Sequence, residues 1–285
     1  MAVSIVYSDL DGTMVGPRGS FWLDADRRLT DEPSQALLSL HRAEIDLVLV
    51  SGRTRAQLVE AGRIFGADGF IAELGSVVVW SGWHEHRVLR GEMPDTFAGQ
   101  APFDVMAALG VPEQLFERYR GRLEWHEPWH LGHEVDAMLR GAVDVIEVET
   151  WLADQGWGWL TLRDNGALPV SRSTGLSPEG LPAHVYHLMP RGVSKGLAVA
   201  WDLKRRGLRA EDAIAIGDSI SDLEMADAVS KLWITANGLA SPDVSDEVAA
   251  RDNVVPCDEA VGLGWSQAIR SILPRSPYPR GASRS

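Results

Sequence analysis

The chain opens with an apolar run, Val3 to Tyr7, that leads straight into Asp9-Leu10-Asp11-Gly12-Thr13. The apolar run reads as a first strand, with the carboxylates at its end and before a glycine turn. Two carboxylates at the exit of such a strand lie at the carboxyl edge of the sheet, where open α/β sheets gather their functional groups. A compact anionic patch there can hold a hard divalent cation. An Asp carboxylate can also act as a nucleophile toward a phosphoryl group. Gly12 and Thr13 add a tight turn and N–H and O–H donors for an anion. Taken alone, the stretch reads equally well as an Asp-Gly turn closing a strand.

The remaining pattern supports a parallel sheet. Ser4–Ser8 is followed by a helix around Pro33–Ala43 and by the apolar run Ile45–Val50, which ends in Ser51-Gly52-Arg53. A second helix covers about Arg55–Phe65, closed by Gly66, and Gly69–Ala72 reads as a third strand. Near the other end come a helix over Ser194–Gly207, a strand at Ala213–Ile216 ending in Gly217-Asp218, a helix near Ser221–Ala228 and the run Lys231–Thr235. This alternation predicts an α/β fold with a Rossmann-like parallel-sheet core.

Between about Gly82 and His187 the pattern changes, and seven of the eleven Trp lie between Trp80 and Trp159. Val143–Gln155 reads as a helix, Trp159–Arg163 as a strand and Arg163-Asp164-Asn165-Gly166 as a tight hairpin turn. The expected organisation is a core in two parts, 1–81 and 188–273, an inserted α+β cap domain at 82–187, and a flexible tail at 274–285 rich in Pro, Arg, Ser and Gly.

With 285 residues, 45% of them hydrophobic and 24% charged, the chain can bury a full core. A net charge of −13 argues against nucleic-acid or anionic-membrane partners, and it means that an anionic ligand needs local cations. No apolar run is long enough to span a bilayer, and the N-terminus does not read as a secretory signal. The single Cys257 excludes an intrachain disulfide. The expectation is a cytoplasmic monomer or homodimer whose partner is a small molecule.

Four polar clusters sit where strands end or helices begin: Asp9/Asp11, Ser51-Gly52-Arg53, Lys195 after Pro190-Arg191-Gly192-Val193, and Asp218-Ser219-Ile220-Ser221-Asp222. Singly they read as a helix cap, a surface lysine and an Asx-turn. In this order, DLDGT, SGR, the Lys of GVSKG and GDSISD, the chain resembles the haloacid dehalogenase superfamily. The VLVSGRT wording and the inserted middle segment resemble its Cof-type, sugar-phosphate phosphatase branch with a type IIB cap. The resemblance covers the flanking parts, residues 1–80 and 188–273.

The resemblance implies a Mg²⁺-dependent phosphomonoesterase acting on a small phosphorylated metabolite, of sugar-phosphate or sugar-phosphoglycerate type. It makes Asp9 the nucleophile and Asp11 the general acid and then the base. Ser51 would hydrogen-bond the phosphoryl group, and Lys195 would neutralise it and hold Asp9. Asp218 would bind Mg²⁺ together with Asp9 and the main-chain carbonyl of Asp11, with Asp222 bracing the site. Gly12, Gly52, Arg53, Ser221 and Asn237 are the implied substrate contacts.

Two departures stand out. Ser221 replaces the Asn of the usual GDxxND, and a hydroxyl is shorter and offers one donor where an amide offers two. Glu73-Leu74-Gly75-Ser76 stands where ENGA is usual. Neither touches the implied nucleophile, acid, lysine or metal Asp, so activity is expected to survive. Two other functions fit the same motifs, a hexose phosphomutase and a non-catalytic phospholigand-binding protein. A nicotinamide enzyme is disfavoured because no Gly-x-Gly-x-x-Gly follows the first strand.

His84, His86, His126, His130 and His133 do not read as a metal site. Pro128 interrupts the helical spacing of the last three and Gly132 weakens it further. They are expected to be exposed or to line a cleft. Trp125, Trp129, Trp157 and Trp159 are expected mainly to pack inside the inserted segment. Ser171-Arg172-Ser173 are candidates for hydroxyl and cationic contacts.

Overall fold

The computed structural model describes residues 3–168, 176 and 182–273. Ser171-Arg172-Ser173 and the tail at 274–285 lie outside the described residues. In chain order the strands are β1 (Ile5–Ser8), β2 (Asp46–Val50), β3 (Gly69–Ala72), β4 (Val77–Trp80), β5 (Glu85–Val88), β6 (Leu123–Trp125), β7 (Ala137–Gly141), β8 (Leu160–Ala167), β9 (His184–Pro190), β10 (Ala213–Gly217), β11 (Lys231–Ile234) and β12 (Val254–Pro256). The helices are α1 (Glu32–Arg42), α2 (Arg55–Phe65), α3 (Pro102–Ala108), α4 (Val111–Arg118), α5 (Val145–Asp154), α6 (Lys195–Arg206), α7 (Ile220–Leu223), α8 (Pro242–Ala249) and α9 (Val261–Ile272). The chain divides into two compact units, 1–48 with 207–285, and 49–206.

In the first unit the strand order is β12-β11-β10-β1-β2, and the pairs β1/β10, β10/β11 and β11/β12 are parallel. Every residue of β1 and β10 is buried, as expected for strands covered on both faces. Helix α1 turns Pro33, Ala36, Leu37 and Leu40 inward at helical spacing. Helix α9 contributes Trp265, whose indole is fully buried. Its Nε1–H donates to Ser8 Oγ at 2.9 Å, and that hydroxyl donates to the Asp9 carbonyl at 2.8 Å. A core tryptophan thus fixes the residue that ends β1.

The second unit contains the end of β2, the antiparallel strands β3, β4 and β5, and a separate antiparallel sheet in the order β6-β7-β9-β8. Helix α2 begins at a capping box: Thr54 Oγ1 accepts from Gln57 N, Gln57 Oε1 accepts from Thr54 N, and Gly66 closes the helix at φ 65°. A core of Val105, Met106, Leu115, Leu139, Val148 and Leu188 joins the four-stranded sheet to α3, α4 and α5. A parallel sheet in one region and an antiparallel α+β layer in another is the expected class.

Two local expectations are corrected. Arg163–Gly166 is not a hairpin turn but part of β8, where the pairing with β9 shifts register between Asp164 and Ala167. Asp164 Oδ1 accepts Gly166 N–H at 2.8 Å and Gly166 has φ 100°, so the turn-forming residues make a bulge instead of a reversal. The helix expected near Ser221–Ala228 is the short α7 followed by a tighter turn at Glu224–Asp227. Ser and Asp side chains compete for the backbone and favour caps over long helices.

Replacing Trp265 by Ala removes the largest buried side chain of this unit and the donor to Ser8. The expected cost is about 3–5 kcal/mol of stability, read as a lower urea midpoint at unchanged slope; a loss near zero contradicts this placement.

Candidate functional site

In the first unit the loops leaving β1, β10 and β11 converge at the carboxyl edge of parallel strands. Asp9, Asp218 and Asp222 each place a carboxylate oxygen within 4.8 Å of the others. Asp9 and Asp222 are buried, Asp218 partly so, and Asp11 is exposed. Gly12 has φ 92°, and a Cβ there would lie 2.4 Å from Asp218 Oδ2. Both the turn and the close approach require glycine.

Neutral donors hold this cluster in shape. Thr13 Oγ1 donates to Asp218 Oδ1 at 2.9 Å. Asn237 Nδ2 donates to the Gly12 carbonyl at 2.9 Å and to Asp218 Oδ2 at 3.0 Å, while Asn237 Oδ1 accepts from Val261 N at 2.8 Å. These bonds tie Asn237 to the Gly12 turn, to Asp218 and to the start of α9. Asp222 Oδ2 accepts from Asp218 N, Ser219 N and Ser219 Oγ at 3.0, 2.9 and 2.6 Å, which folds the 218–222 loop back on itself. Ser221 Oγ lies 3.0 Å from Ser219 Oγ and is half-buried.

The donor set fits a hard cation. Three carboxylates this close repel one another, each by several kcal/mol at an effective dielectric of about 20. Thr13 and Asn237 donate to Asp218 as neutral groups. Oxygen-only ligands suit Mg²⁺, which usually takes one or two carboxylates and keeps several waters. Asp9 and Asp218 would hold it, with Asp222 bracing the Asp218 loop.

In the second unit, Ser51 is buried and its hydroxyl accepts from Arg53 N at 3.3 Å; Leu74 N donates to the Ser51 carbonyl at 3.2 Å and Glu73 N to the Arg53 carbonyl at 3.0 Å. The Ser51-Gly52-Arg53 loop therefore rests on the turn Glu73-Leu74-Gly75. Three successive positive φ angles, 50°, 54° and 103°, shape that turn. A Cβ on Gly75 would meet Ser194 O at 2.2 Å and Lys195 N at 2.7 Å. The turn thus also packs on the start of α6, where Lys195 is only 2% exposed. One short turn brings Ser51, Gly52, Arg53 and Lys195 into one neighbourhood.

The same turn carries a buried charge network that sequence reasoning missed. The Glu73 carboxyl accepts from the backbone N–H groups of Glu134, Val135 and Asp136 at 3.0, 2.8 and 3.4 Å. His133 faces two acceptors, Asp136 Oδ1 at 2.5 Å from Nδ1 and the Trp129 carbonyl at 3.0 Å from Nε2. Both ring nitrogens therefore carry protons and the ring is an imidazolium. Asp136 Oδ2 accepts from His187 Nδ1. The expectation that His126 and His133 are exposed or line a cleft is corrected: both are buried, and His133 is a structural cation. Glu73, His133 and Asp136 also come close enough together to resemble a metal site. Their polar atoms are spent on one another and on the backbone, so the group does not fit an ion.

The titration of this network follows from its burial. Desolvation and the neighbouring Asp136 charge push the Glu73 carboxyl up to about 8. Burial works against the His133 cation, but the Asp136 charge and hydrogen bond outweigh it and push that ring up to about 9. Burial likewise opposes the Asp136 anion, yet the His133 charge and the hydrogen bonds from both histidines hold it far below the usual carboxylate range. Asp136 and His187 left no local signal in the sequence: they meet only because β7 pairs with β9 in the register Met138↔His187.

The comparisons agree with this architecture. A family model described as haloacid dehalogenase-like hydrolase matches residues 179–243. A phosphoglycolate phosphatase from Pyrobaculum aerophilum is 26% identical over 276 residues, covering 96% of this chain and 97% of that protein. An HMP-PP phosphatase from Escherichia fergusonii is 25% identical over 293 residues, covering 95% and 96%. Among solved structures, the Thermoplasma acidophilum 0175 protein superposes with TM-score 0.64 at 16% identity, over 95% of this chain and 99% of that one. The sucrose-phosphatase from Synechocystis, in complex with sucrose and phosphate, gives TM-score 0.63 at 14% identity, over 95% and 98%. At these identities the structural likeness is one of fold.

The network makes stability depend on pH with a definite sign. From the ordinary value of 4.5 up to about 8 the folded chain keeps a proton on Glu73 that the unfolded chain has released. His133 does the same from 6.5 up to about 9. Stability is therefore expected to fall as pH rises through these windows, by up to about 1.4 kcal/mol per pH unit for each group. Glu73→Gln, which keeps an acceptor oxygen, should flatten the Glu73 part of the slope in urea titrations across this range; a slope identical to the wild type contradicts the assignment.

Proposed function

We propose that this chain, a haloacid dehalogenase-like hydrolase, is a Mg²⁺-dependent phosphomonoesterase that removes phosphate from a small phosphorylated metabolite through an aspartyl-phosphate on Asp9. The observation that carries this reading is the Asp9, Asp218 and Asp222 cluster, whose carboxylate oxygens lie within 4.8 Å at the carboxyl edge of parallel strands. The phosphatase names of the relatives that span nearly the whole chain support it. A sugar phosphate or sugar-phosphoglycerate type ester remains the favoured substrate. The sucrose-phosphatase likeness adds the fold and no more.

When bound, the cation would neutralise the carboxylates and the phosphoryl oxygens, as a Lewis acid does in phosphoryl transfer. The chain's own residues supply the rest. An Asp9 carboxylate oxygen attacks phosphorus, the ester P–O bond breaks, and the proton held by Asp11 goes to the leaving alkoxide. Exposure of Asp11 suits a group that exchanges protons with both leaving group and water. Water then loses a proton to Asp11 and attacks the phosphorus of the acyl phosphate, releasing inorganic phosphate and restoring Asp9. Ser51 and Lys195 are assigned to the phosphoryl oxygens, as hydroxyl donor and as fixed cation. Burial of Lys195 at the first residue of α6 suits a held charge rather than a solvated one. Gly12, Gly52, Arg53, Ser221 and Asn237 remain the proposed substrate contacts.

The segment 82–187 is proposed as a cap that selects the organic part of the substrate. Among the described residues no helix is long and apolar enough to cross a membrane. A cytoplasmic location and a monomeric or homodimeric state are part of the same proposal.

A screen of phosphorylated metabolites with phosphate detection tests the reading. Free phosphate is expected with added Mg²⁺ and not after chelation. Asp9→Asn and Asp218→Ala should each lose at least on the order of a hundredfold in turnover, with Lys195→Ala losing in both kcat and KM. Turnover largely retained in Asp9→Asn contradicts the nucleophile, and an isomerised phosphate ester as product points to a mutase.

A further inference from the structure

The turn that follows β3 is both buried and strained. Glu73 and Leu74 hold φ values of 50° and 54°, and Gly75 one of 103°. Residues with side chains persist in that region where their surroundings over-determine them, and such places cluster at functional sites. Here the surroundings all belong to the second unit, and they hold the turn from three directions. Leu74 is buried with Met189 and Val193. Gly75 lies against the start of α6, since a Cβ on it would meet the Ser194 carbonyl oxygen at 2.2 Å. Glu73, with no exposed surface, sends its carboxyl to the backbone of residues 134–136.

What the turn touches gives that strain a use. Leu74 N–H donates to the Ser51 carbonyl and Glu73 N–H to the Arg53 carbonyl. Lys195 begins α6 at the point where Gly75 packs. The two groups assigned to the phosphoryl oxygens, a hydroxyl on a loop and an ammonium on a helix, therefore share one support. A single side chain anchors that support. The N–H groups of Glu134, Val135 and Asp136 precede β7 and reach the Glu73 carboxyl at 3.0, 2.8 and 3.4 Å, a row of donors of the kind that seats an acidic oxygen. Arg55, at the start of α2, braces the same segment by pairing with Glu134 at 2.7 Å. A Glu spans turn and donor row at once, and an Asp is shorter by one methylene.

We infer that Glu73 is a positioning residue for phosphate-ester turnover: by clasping residues 134–136 it sets the turn that places Ser51 and Lys195. This rests on the phosphomonoesterase reading above and adds a residue that touches neither substrate nor cation. The clasp also responds to pH. The groups around the carboxyl are Asp136 and His133 of the clasped segment, His187 of β9 behind Asp136, and the Arg55–Glu134 pair beside it. Burial and the Asp136 charge push the Glu73 carboxyl up to about 8. Once ionised, it faces the Asp136 anion in a buried place, and His133 is already engaged by Asp136 at 2.5 Å. The repulsion loosens the clasp and releases the turn.

Two variants of the full chain separate positioning from packing. Glu73→Gln keeps an acceptor for residues 134–136 and stays uncharged at every pH. Glu73→Asp keeps the carboxyl and loses the reach. With nitrophenyl phosphate and Mg²⁺ near neutral pH, Glu73→Asp is expected to lose about tenfold or more in kcat/KM, in both kcat and KM, and Glu73→Gln clearly less. As pH rises through about 8, the wild type should lose kcat/KM in a step that Glu73→Gln lacks, so the variant-to-wild-type ratio climbs several-fold. A merely structural part would lower the urea midpoint of Glu73→Asp and leave the turnover of its folded chain alone. Full turnover in folded Glu73→Asp, or a Glu73→Gln ratio constant across this range, overturns the inference. Should Glu73→Asp fail to fold, the Glu73→Gln ratio decides alone.

A second measurement does not depend on turnover. Calorimetric titration of the chain with inorganic phosphate, in the presence of Mg²⁺, reads the hold on a phosphoryl group directly. Glu73→Asp is expected to bind phosphate about tenfold more weakly than the wild type. Its affinity for Mg²⁺ should be unchanged, because Asp9, Asp218 and Asp222 belong to the first unit. Equal phosphate affinity in both chains, or a matching loss of Mg²⁺, overturns the inference. A wild-type chain that hydrolyses no phosphate ester, but whose phosphate binding weakens in Glu73→Asp, would refute the phosphomonoesterase reading and keep the clasp.

Discussion

Like charges crowded at the end of a buried strand are the constraint around which the first unit is built. Three carboxylates within 4.8 Å of one another are costly to hold. The loops nevertheless spend their side chains on holding them there. Thr13 and Asn237 donate to Asp218, Asp222 draws in the backbone of its own loop, and Gly12 gives up a side chain so that Asp218 can approach. The indole of Trp265 is linked through the Ser8 hydroxyl to the Asp9 main-chain carbonyl. Each of these contacts fixes geometry. Such an arrangement makes chemical sense when a cation completes it.

The second unit answers a similar problem internally. Glu73, Asp136 and His133 are all buried, and there the charges are balanced within the protein: an imidazolium between two acceptors, a carboxylate between two histidines, and a carboxyl held by three backbone N–H groups. Breaking such a set by removing one partner costs far more than the set contributes as a whole. Its value is positional. Glu73 belongs to the turn that supports Ser51-Gly52-Arg53 and the first turn of α6, so the network fixes the strained φ values of that turn and seats His187 against Gly52.

What was legible in the sequence were features whose meaning is local. Asp9 and Asp218 stand at the ends of apolar runs, and the structure places both at the ends of fully buried strands. Helix α2 was readable to the residue because its cap and its terminal glycine are contiguous with it. Asp164-Asn165-Gly166 was not, because the same side-chain chemistry makes a reversal or a bulge depending on what β9 offers alongside. Asn237 looks like an Asn-Gly turn in isolation; its work depends on the Gly12 carbonyl, Asp218 and Val261, three elements scattered along the chain. The departure at Glu73 was visible, but its purpose required the backbone of residues 134–136 beside it.

Calorimetric titration of the intact chain with Mg²⁺ tests the central claim most directly, because it asks whether the three carboxylates are incomplete without a cation. One ion per chain is expected, with binding lost in Asp218→Ala and retained in Glu73→Gln, whose network is already neutralised. Binding that is absent from the wild type, or unchanged in Asp218→Ala, would contradict it.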